Sequence, residues 1–220
     1  MPQRYLIAAT NSGCGKTTVT AGLLRTLHNR GLRVQPYKCG PDYIDTQYHQ
    51  IACGVESVNL DTRFMSEQHL QEVFARYGEE MDVQVVEGVM GLFDGYDRWR
   101  GSTAEIARLL DIPVILIVNA RSMAYSAAAI VHGFTTLWQD LRFSGVLFNQ
   151  VGSERHASSL RQSCDDAGIP CLGCLPRQKE LLMPSRHLGL SLEHRQEIET
   201  MIVRAAEMIE NHLDLSFIER

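Results

Sequence analysis

At 220 residues, with 45% hydrophobic and 21% charged side chains, the chain is long enough for one large domain with a substantial core. A net charge of -5 without a basic block argues against nucleic acid as a partner, because binding a phosphate backbone takes clustered Lys and Arg. The longest apolar run, 112–118, is too short to span a bilayer, Met1-Pro2-Gln3-Arg4 leads into a strand-like segment without a signal peptide, and six cysteines in a chain this size fit a reducing compartment, so a cytoplasmic protein with no membrane partner is expected.

In chain order, RYLIAAT (4–10) predicts a strand and KTTVTAGLLRTLHNRG (16–31) a helix closed by Gly31. LRVQPYK (32–38) predicts a second strand, and SEQHLQEVFARYG (66–78) a helix opened by Ser66 and ended by Gly78. DVQVVEG (82–88) reads as a third strand. STAEIARLL (102–110) opens on a capping box, with Ser102 and then Glu105 three residues on. IPVILIVNA (112–120) is apolar throughout, as in a strand covered on both faces, and 122–141 is expected to be helical. FSGVLFNQV (143–151), 154–167 and IPCLGCLP (169–176) read as strand, helix and strand, and an amphipathic helix is expected from Leu192 to His212. Repeated strand–helix units imply an α/β fold: a mostly parallel sheet with helices on both faces. Residues 1–212 are expected to form one domain, with 213–220 a tail or a cut linker. Cys171 and Cys174 form a single C-x-x-C, for which a buried strand using Cys as a small hydrophobe is favoured over a zinc or redox site.

Chemistry concentrates at strand ends. ATNSGCGKTT (9–18) joins the first strand to the first helix and matches a phosphate-binding loop, except that Thr10 stands where the usual pattern has Gly. Asn11, Ser12, Gly13, Cys14, Gly15, Lys16, Thr17 and Thr18 are therefore expected to hold a nucleotide. Glycines let backbone N–H groups form a nest, Lys16 reaches the β- and γ-phosphates, and Thr17 can ligate Mg²⁺. Glu87 ends the third strand, where an acid holds Mg²⁺ directly or through water; its alternative is a strand-end surface acid. Asp94 follows in a D-G turn that could be only a turn. KCGPDYIDTQYH (38–49) places Lys38, Asp42, Tyr43 and Asp45 after the second strand, on the edge that should face the phosphate loop. Either the two Asp residues serve chemistry or they cap the following turn.

KCGPDYIDTQYH, EGVMGLFDG, GSTAEIARLLDIPVILIVNA and PSRHLGL together resemble the synthetase domain of the cobyrinate a,c-diamide synthase family, which includes hydrogenobyrinate and nickel-sirohydrochlorin diamide synthases. The P-loop NTPase fold is shared with dethiobiotin synthetase. The resemblance implies an ATP-dependent carboxylate–amine ligase of cobalamin biosynthesis. ATP phosphorylates the a and c acetates of a corrinoid, and ammonia displaces the phosphate. In that family ammonia comes from glutamine through a glutaminase domain, which is expected to be missing or a separate chain here; a homodimer is left open. Thr17 and Glu87, with Asp42, are the implied Mg²⁺ ligands. Lys38 is expected to neutralise the substrate carboxylate or the moving phosphate, while Asp45 and Asp94 handle the incoming ammonia or the acceptor. Asn149 and Pro176 resemble an adenine-contacting pair in related synthetases. Tyr43, Arg98 and Arg186, with Arg100, are expected to meet the acidic tetrapyrrole, and Trp99 to stack on it or pack locally. Two rivals share the P-loop. A stand-alone dethiobiotin synthetase should carry an acid in place of Asn11-Ser12, and a ParA/MinD-type ATPase switch an extra lysine there.

Overall fold

The computed structural model describes residues 2–178 and 192–218. Among them, β1 (Gln3–Ala9), β2 (Val34–Cys39), β3 (Val58–Leu60), β4 (Val83–Glu87), β5 (Val114–Asn119), β6 (Phe143–Val151) and β7 (Cys171–Pro176) form one sheet in the order β3-β2-β4-β1-β5-β6-β7, each neighbouring pair parallel. The helices are α1 (Lys16–Asn29), α2 (Asp45–Cys53), α3 (Glu67–Gly78), α4 (Thr103–Leu109), α5 (Ala127–Thr136), α6 (Glu154–Ala167) and α7 (Leu192–His212). This is the expected α/β, P-loop architecture.

Alternate side chains along each strand go to opposite faces, so a sheet covered twice needs apolar residues at both phases. In β5, Ile115 and Ile117 join the layer made by α1, α2 and α7, while Val114, Leu116 and Val118 join the layer of α3 to α6. The α1–α7 crossing is close. A Cβ on Gly22 would lie 2.8 Å from the Ala205 carbonyl oxygen. Gly22→Leu is therefore expected to wedge the helices apart and cost about 1–3 kcal/mol. A thermal melt should show a drop of several degrees, and an unchanged melt would mean the crossing adapts freely.

Ser66 and Ser102 cap α3 and α4 as expected, their hydroxyls accepting from His69 N and Glu105 N. Half of the capping box is corrected: Glu105 Oε2 accepts from Gly101 N (2.8 Å) and Thr62 Oγ1 (2.6 Å), tying two loops together. The helix expected over 122–141 is shorter, because Ser122 takes φ +61° and the chain turns before Ala127. α2 and β3 were not anticipated. β3 has three residues and α2 has no side-chain cap on its Ile44 N-cap, so neither leaves a sustained periodic pattern. Residues 213–218, read above as tail or linker, lie against β7: Asp214 N donates to Leu172 O at 2.8 Å, and Leu213, Leu215 and Ile218 are buried.

β6 and β7 pair with two irregularities. Val146 pairs with Cys171, Leu147 with Gly173, Phe148 with Cys174, and Val151 with Pro176. β7 thus has an extra residue at Leu172, and β6 has one between Asn149 and Val151, where Gln150 has φ +65°. The first bulge is why Cys171 and Cys174, three apart, both pack toward the α6 layer with buried Cys164.

No helix among the described residues is long and apolar enough to cross a membrane.

Candidate functional site

β1 and β4 are neighbours, but α1 covers one face and α4 the other. The connections therefore diverge and open a crevice at the carboxyl ends of the strands. There lies a cleft of about 400 Å³ lined by the phosphate loop, the ends of β2, β4 and β6, and the β7 exit.

The loop is braced from within. Cys14 Sγ donates to Asn11 Oδ1 (3.1 Å), Thr10 Oγ1 reaches the same oxygen (3.0 Å), and Asn11 Nδ2 donates to Ser12 O (2.8 Å). Cys14 is fully buried, so its thiol serves this bracing. Gly15 has φ +94°, and a Cβ there would lie 2.5 Å from Asn149 Nδ2, so the position excludes any side chain. α1 starts without a side-chain cap and without acid in its first turn, which leaves its first N–H groups turned toward the cleft as an anion site. Lys16 Nζ donates to Met90 O at 2.5 Å. Burial lowers the Lys16 pKa, with the Glu87 charge opposing.

Behind the loop is a buried charged cluster. Lys38 and Glu87 are register partners on β2 and β4, so their side chains leave the same face of the sheet. Lys38 Nζ meets Glu87 Oε1 (3.0 Å), Asp45 Oδ2 (2.9 Å) and Gly88 O (3.0 Å). An ammonium has three N–H donors, so all are committed. Glu87 Oε1 also accepts from Thr17 Oγ1 (2.8 Å), and its Oε2 meets His49 Nε2 (2.7 Å). Lys38, Asp45, His49 and Glu87 are each at most 2% exposed. Burial opposes charge on Lys38, but Glu87 and Asp45 outweigh it and hold its pKa above the ordinary lysine value. Burial likewise opposes charge on Glu87, but Lys38 and His49 hold its pKa well below the usual carboxylate range. One cation cannot offset two acids: burial, then the Glu87 charge, push Asp45 up against the pull of Lys38. Asp45 Oδ1 is buried with no hydrogen-bond partner among the described residues.

Asp42 and Asp45 make different contacts. Asp42 Oδ1 accepts from Ile44 N (2.8 Å) and Asp45 N (2.9 Å), capping the start of α2, while Asp45 points its carboxylate at Lys38. Asn149 Nδ2 donates to Cys14 O (2.8 Å) and its Oδ1 accepts from Gln150 N (2.8 Å), so its amide braces the phosphate loop at the cleft wall. The β6 bulge beside it aims it there.

The cleft gathers Ser12, Gly13, Gly15, Lys16, Thr17, Thr18, Lys38, Asp42, Asp45, Glu87, Asn149 and Pro176. Tyr43, Asp94 and Arg98 are exposed outside its lining. Asp94 Oδ2 accepts from Gly91 N (3.0 Å), holding the 88–95 loop. Trp99 packs locally, edge-on to Trp138 at 4.9 Å with Arg108 over its ring. Arg186 lies outside the described residues. His49 and the Met90 and Gly88 carbonyls were not anticipated; the i, i+4 spacing of Asp45 and His49 was the available signal for the histidine.

The donors at the cleft floor fit a hard divalent cation: Thr17 Oγ1 and Glu87 Oε1 converge at 2.8 Å, and the half-buried Asp42 is within the same lining. No cluster of three or more His, Cys, Asp or Glu able to hold a metal occurs among the described residues. Mg²⁺ does not require such a cluster, since it is commonly held by one or two carboxylates together with substrate phosphates.

Residues 5–190 match the model of the CobQ/CobB/MinD/ParA nucleotide binding domain. The chain is 46% identical over 217 residues to the cobyrinate a,c-diamide synthase of Listeria monocytogenes serotype 4b (strain F2365), covering 96% of this chain and 48% of that protein. It is 44% identical over 217 residues to the hydrogenobyrinate a,c-diamide synthase of Brucella ovis, covering 98% of this chain and 50% of that protein. The chain thus spans about half the length of these relatives. Among solved structures, FtsY from Elizabethkingia anophelis superposes with a TM-score of 0.61 at 15% identity, covering 92% of this chain and 66% of that one, and chloroplast FtsY from Physcomitrella patens with 0.60 at 16% identity, covering 92% and 65%. At that identity the likeness concerns the fold.

Proposed function

The chain belongs to the CobQ/CobB/MinD/ParA nucleotide-binding domain family, and on that premise we propose that it is the ATP-dependent synthetase part of a cobyrinate a,c-diamide synthase, amidating acetate carboxylates of a corrinoid-type tetrapyrrole. The observation that carries the reading is the Lys38–Asp45–Glu87 cluster opening onto the same cleft as the phosphate loop. Phosphate binding alone does not need a second, partly unsatisfied buried acid. Removing a proton from the attacking ammonia gives such an acid a use.

The phosphate loop N–H groups and Lys16 hold the triphosphate and neutralise charge as it moves. Thr17, Glu87 and Asp42 would hold a Mg²⁺ ion, which would supply further charge neutralisation at the phosphates. A substrate carboxylate oxygen attacks the γ-phosphorus, the bond to the β-bridging oxygen breaks, and ADP leaves. Ammonia then attacks the acyl carbon of the acyl phosphate, losing a proton as inorganic phosphate departs. Asp45 Oδ1, the acceptor without a partner among the described residues, lines the cleft and takes that proton, and burial and the Glu87 charge raise its affinity for it. Lys38 holds both carboxylates in place during the reaction. In this reading ammonia derives from glutamine through a glutaminase domain or separate chain, and the enzyme works in the cytoplasm.

The test is mass spectrometry of candidate tetrapyrroles incubated with the chain, ATP, Mg²⁺ and ammonium. Each conversion exchanges OH for NH₂; no acceptor-dependent product with any tetrapyrrole diacid would end the reading. Asp45→Asn is expected to bind ATP like the parent while amidation falls on the order of 10²-fold or more, the usual weight of a general base. Parent-rate amidation by this variant would remove Asp45 from the chemistry.

A further inference from the structure

His49 is fully buried on α2, one turn after Asp45. A buried imidazole has two ring nitrogens to satisfy, and both are. Nδ1 meets Ser57 Oγ at 2.9 Å and Nε2 meets Glu87 Oε2 at 2.7 Å. An ionised carboxylate only accepts, so Nε2 carries the hydrogen. The two oxygens of Glu87 are thereby sorted. Oε2 belongs to His49, and Oε1 belongs to Thr17 and Lys38 on the cleft side.

That sorting matters because the last torsion of a glutamate is soft. Without the histidine, Oε2 would be a buried anionic oxygen lacking a donor, a costly state. The carboxylate would relieve it by rotating Oε2 toward the Lys38 ammonium, and Oε1 would leave Thr17. Ser57, just before β3, fixes the ring from behind, so a β3-side hydroxyl and an α2 imidazole together orient an acid on β4.

We propose that His49 is a positioning residue. Its Nε2–H holds the Glu87 carboxylate so that Oε1 stays beside Thr17, where a nucleotide-bound divalent cation is received, and Ser57 sets the ring for that task. This rests on the reading of Glu87 as the metal-side acid, and the experiment separates the two.

Calorimetry of ADP binding with and without Mg²⁺ gives the factor by which the cation tightens binding. Glutamine places its amide nitrogen near the position of Nε2, whereas asparagine places it near Nδ1. His49→Asn is expected to lose about 10–100-fold of the Mg²⁺ enhancement, the usual range for an outer-shell partner, with Mg²⁺-free ADP affinity unchanged. His49→Gln recovers most of the enhancement. A role confined to packing would not distinguish the two amides in this way. Should His49→Asn fail to fold, Ser57→Ala, which frees the ring, is expected to cut the enhancement several-fold at a near-parent melting temperature. The proposal is overturned if His49→Asn or Ser57→Ala keeps the parent enhancement, or if His49→Gln loses as much as His49→Asn. A parent protein that binds ADP without any Mg²⁺ effect would instead overturn the reading of Glu87, and this inference with it.

Discussion

Lys16→Ala is expected to stop ATP-dependent product formation, with turnover at least ~10²–10³-fold lower, the loss seen when a single donor to a developing charge is removed. Among the described residues, the cations lining the cleft are Lys16 and Lys38. Lys38 has its donors committed to Glu87, Asp45 and Gly88, so it cannot replace Lys16 at a phosphate without abandoning an acid. The substitution leaves the fold a fair chance. Lys16 Nζ bonds to the Met90 carbonyl, and Met90 is 44% exposed, so water can take over there. ADP release with acceptor and ammonium present measures the effect, alongside a melt close to the parent's. Undiminished turnover would mean that the phosphate charge is met elsewhere.

Glu87 should separate stability from chemistry. Glu87→Ala leaves Lys38 with one acid instead of two and strips Thr17 and His49 of their shared acceptor. Breaking a buried pair typically costs about 3–5 kcal/mol, against a total domain stability of about 5–15 kcal/mol. Much of Glu87→Ala is therefore expected to be unfolded or insoluble. Glu87→Gln keeps the volume and one acceptor oxygen, so it should fold with a smaller loss, yet the amide cannot serve as an anionic metal ligand. Its expected signature is a near-native circular dichroism spectrum, a lowered melting temperature, and turnover that excess Mg²⁺ only partly restores. Parent activity in Glu87→Gln would show that the acid is structural.

The sheet and its layers were legible because repeated apolar runs with caps leave strong periodic signals, as in β5 between α4 and α5. The phosphate loop and Glu87 were legible because each lies at a strand end, where topology alone puts side chains near ligands. The histidine was not. His49 is one of eight, and its meaning depends on α2, a helix whose Ile44 N-cap has no side-chain bond of its own, carrying the ring to Glu87 on β4. The expected independent role of Lys38 also changed in shape, since sequence cannot report that two acids and a carbonyl surround one ammonium. Nor could sequence report the local contacts of Asp94, which accepts from Gly91 N, and of Trp99, which lies edge-on to Trp138.

The paired irregularities of β6 and β7 act like two dislocations of opposite sign. Leu172 shifts the strands by one residue, the stretch around Gln150 shifts them back, and Val151 meets Pro176 in the same phase as Val146 meets Cys171. Losing one residue from either strand would leave the fault uncorrected at the rim and carry Pro176 away from the cleft wall. Losing one from each would realign the ends. Insertions and deletions at this edge are thus constrained to travel in pairs, although neither bulge touches a phosphate-loop charge.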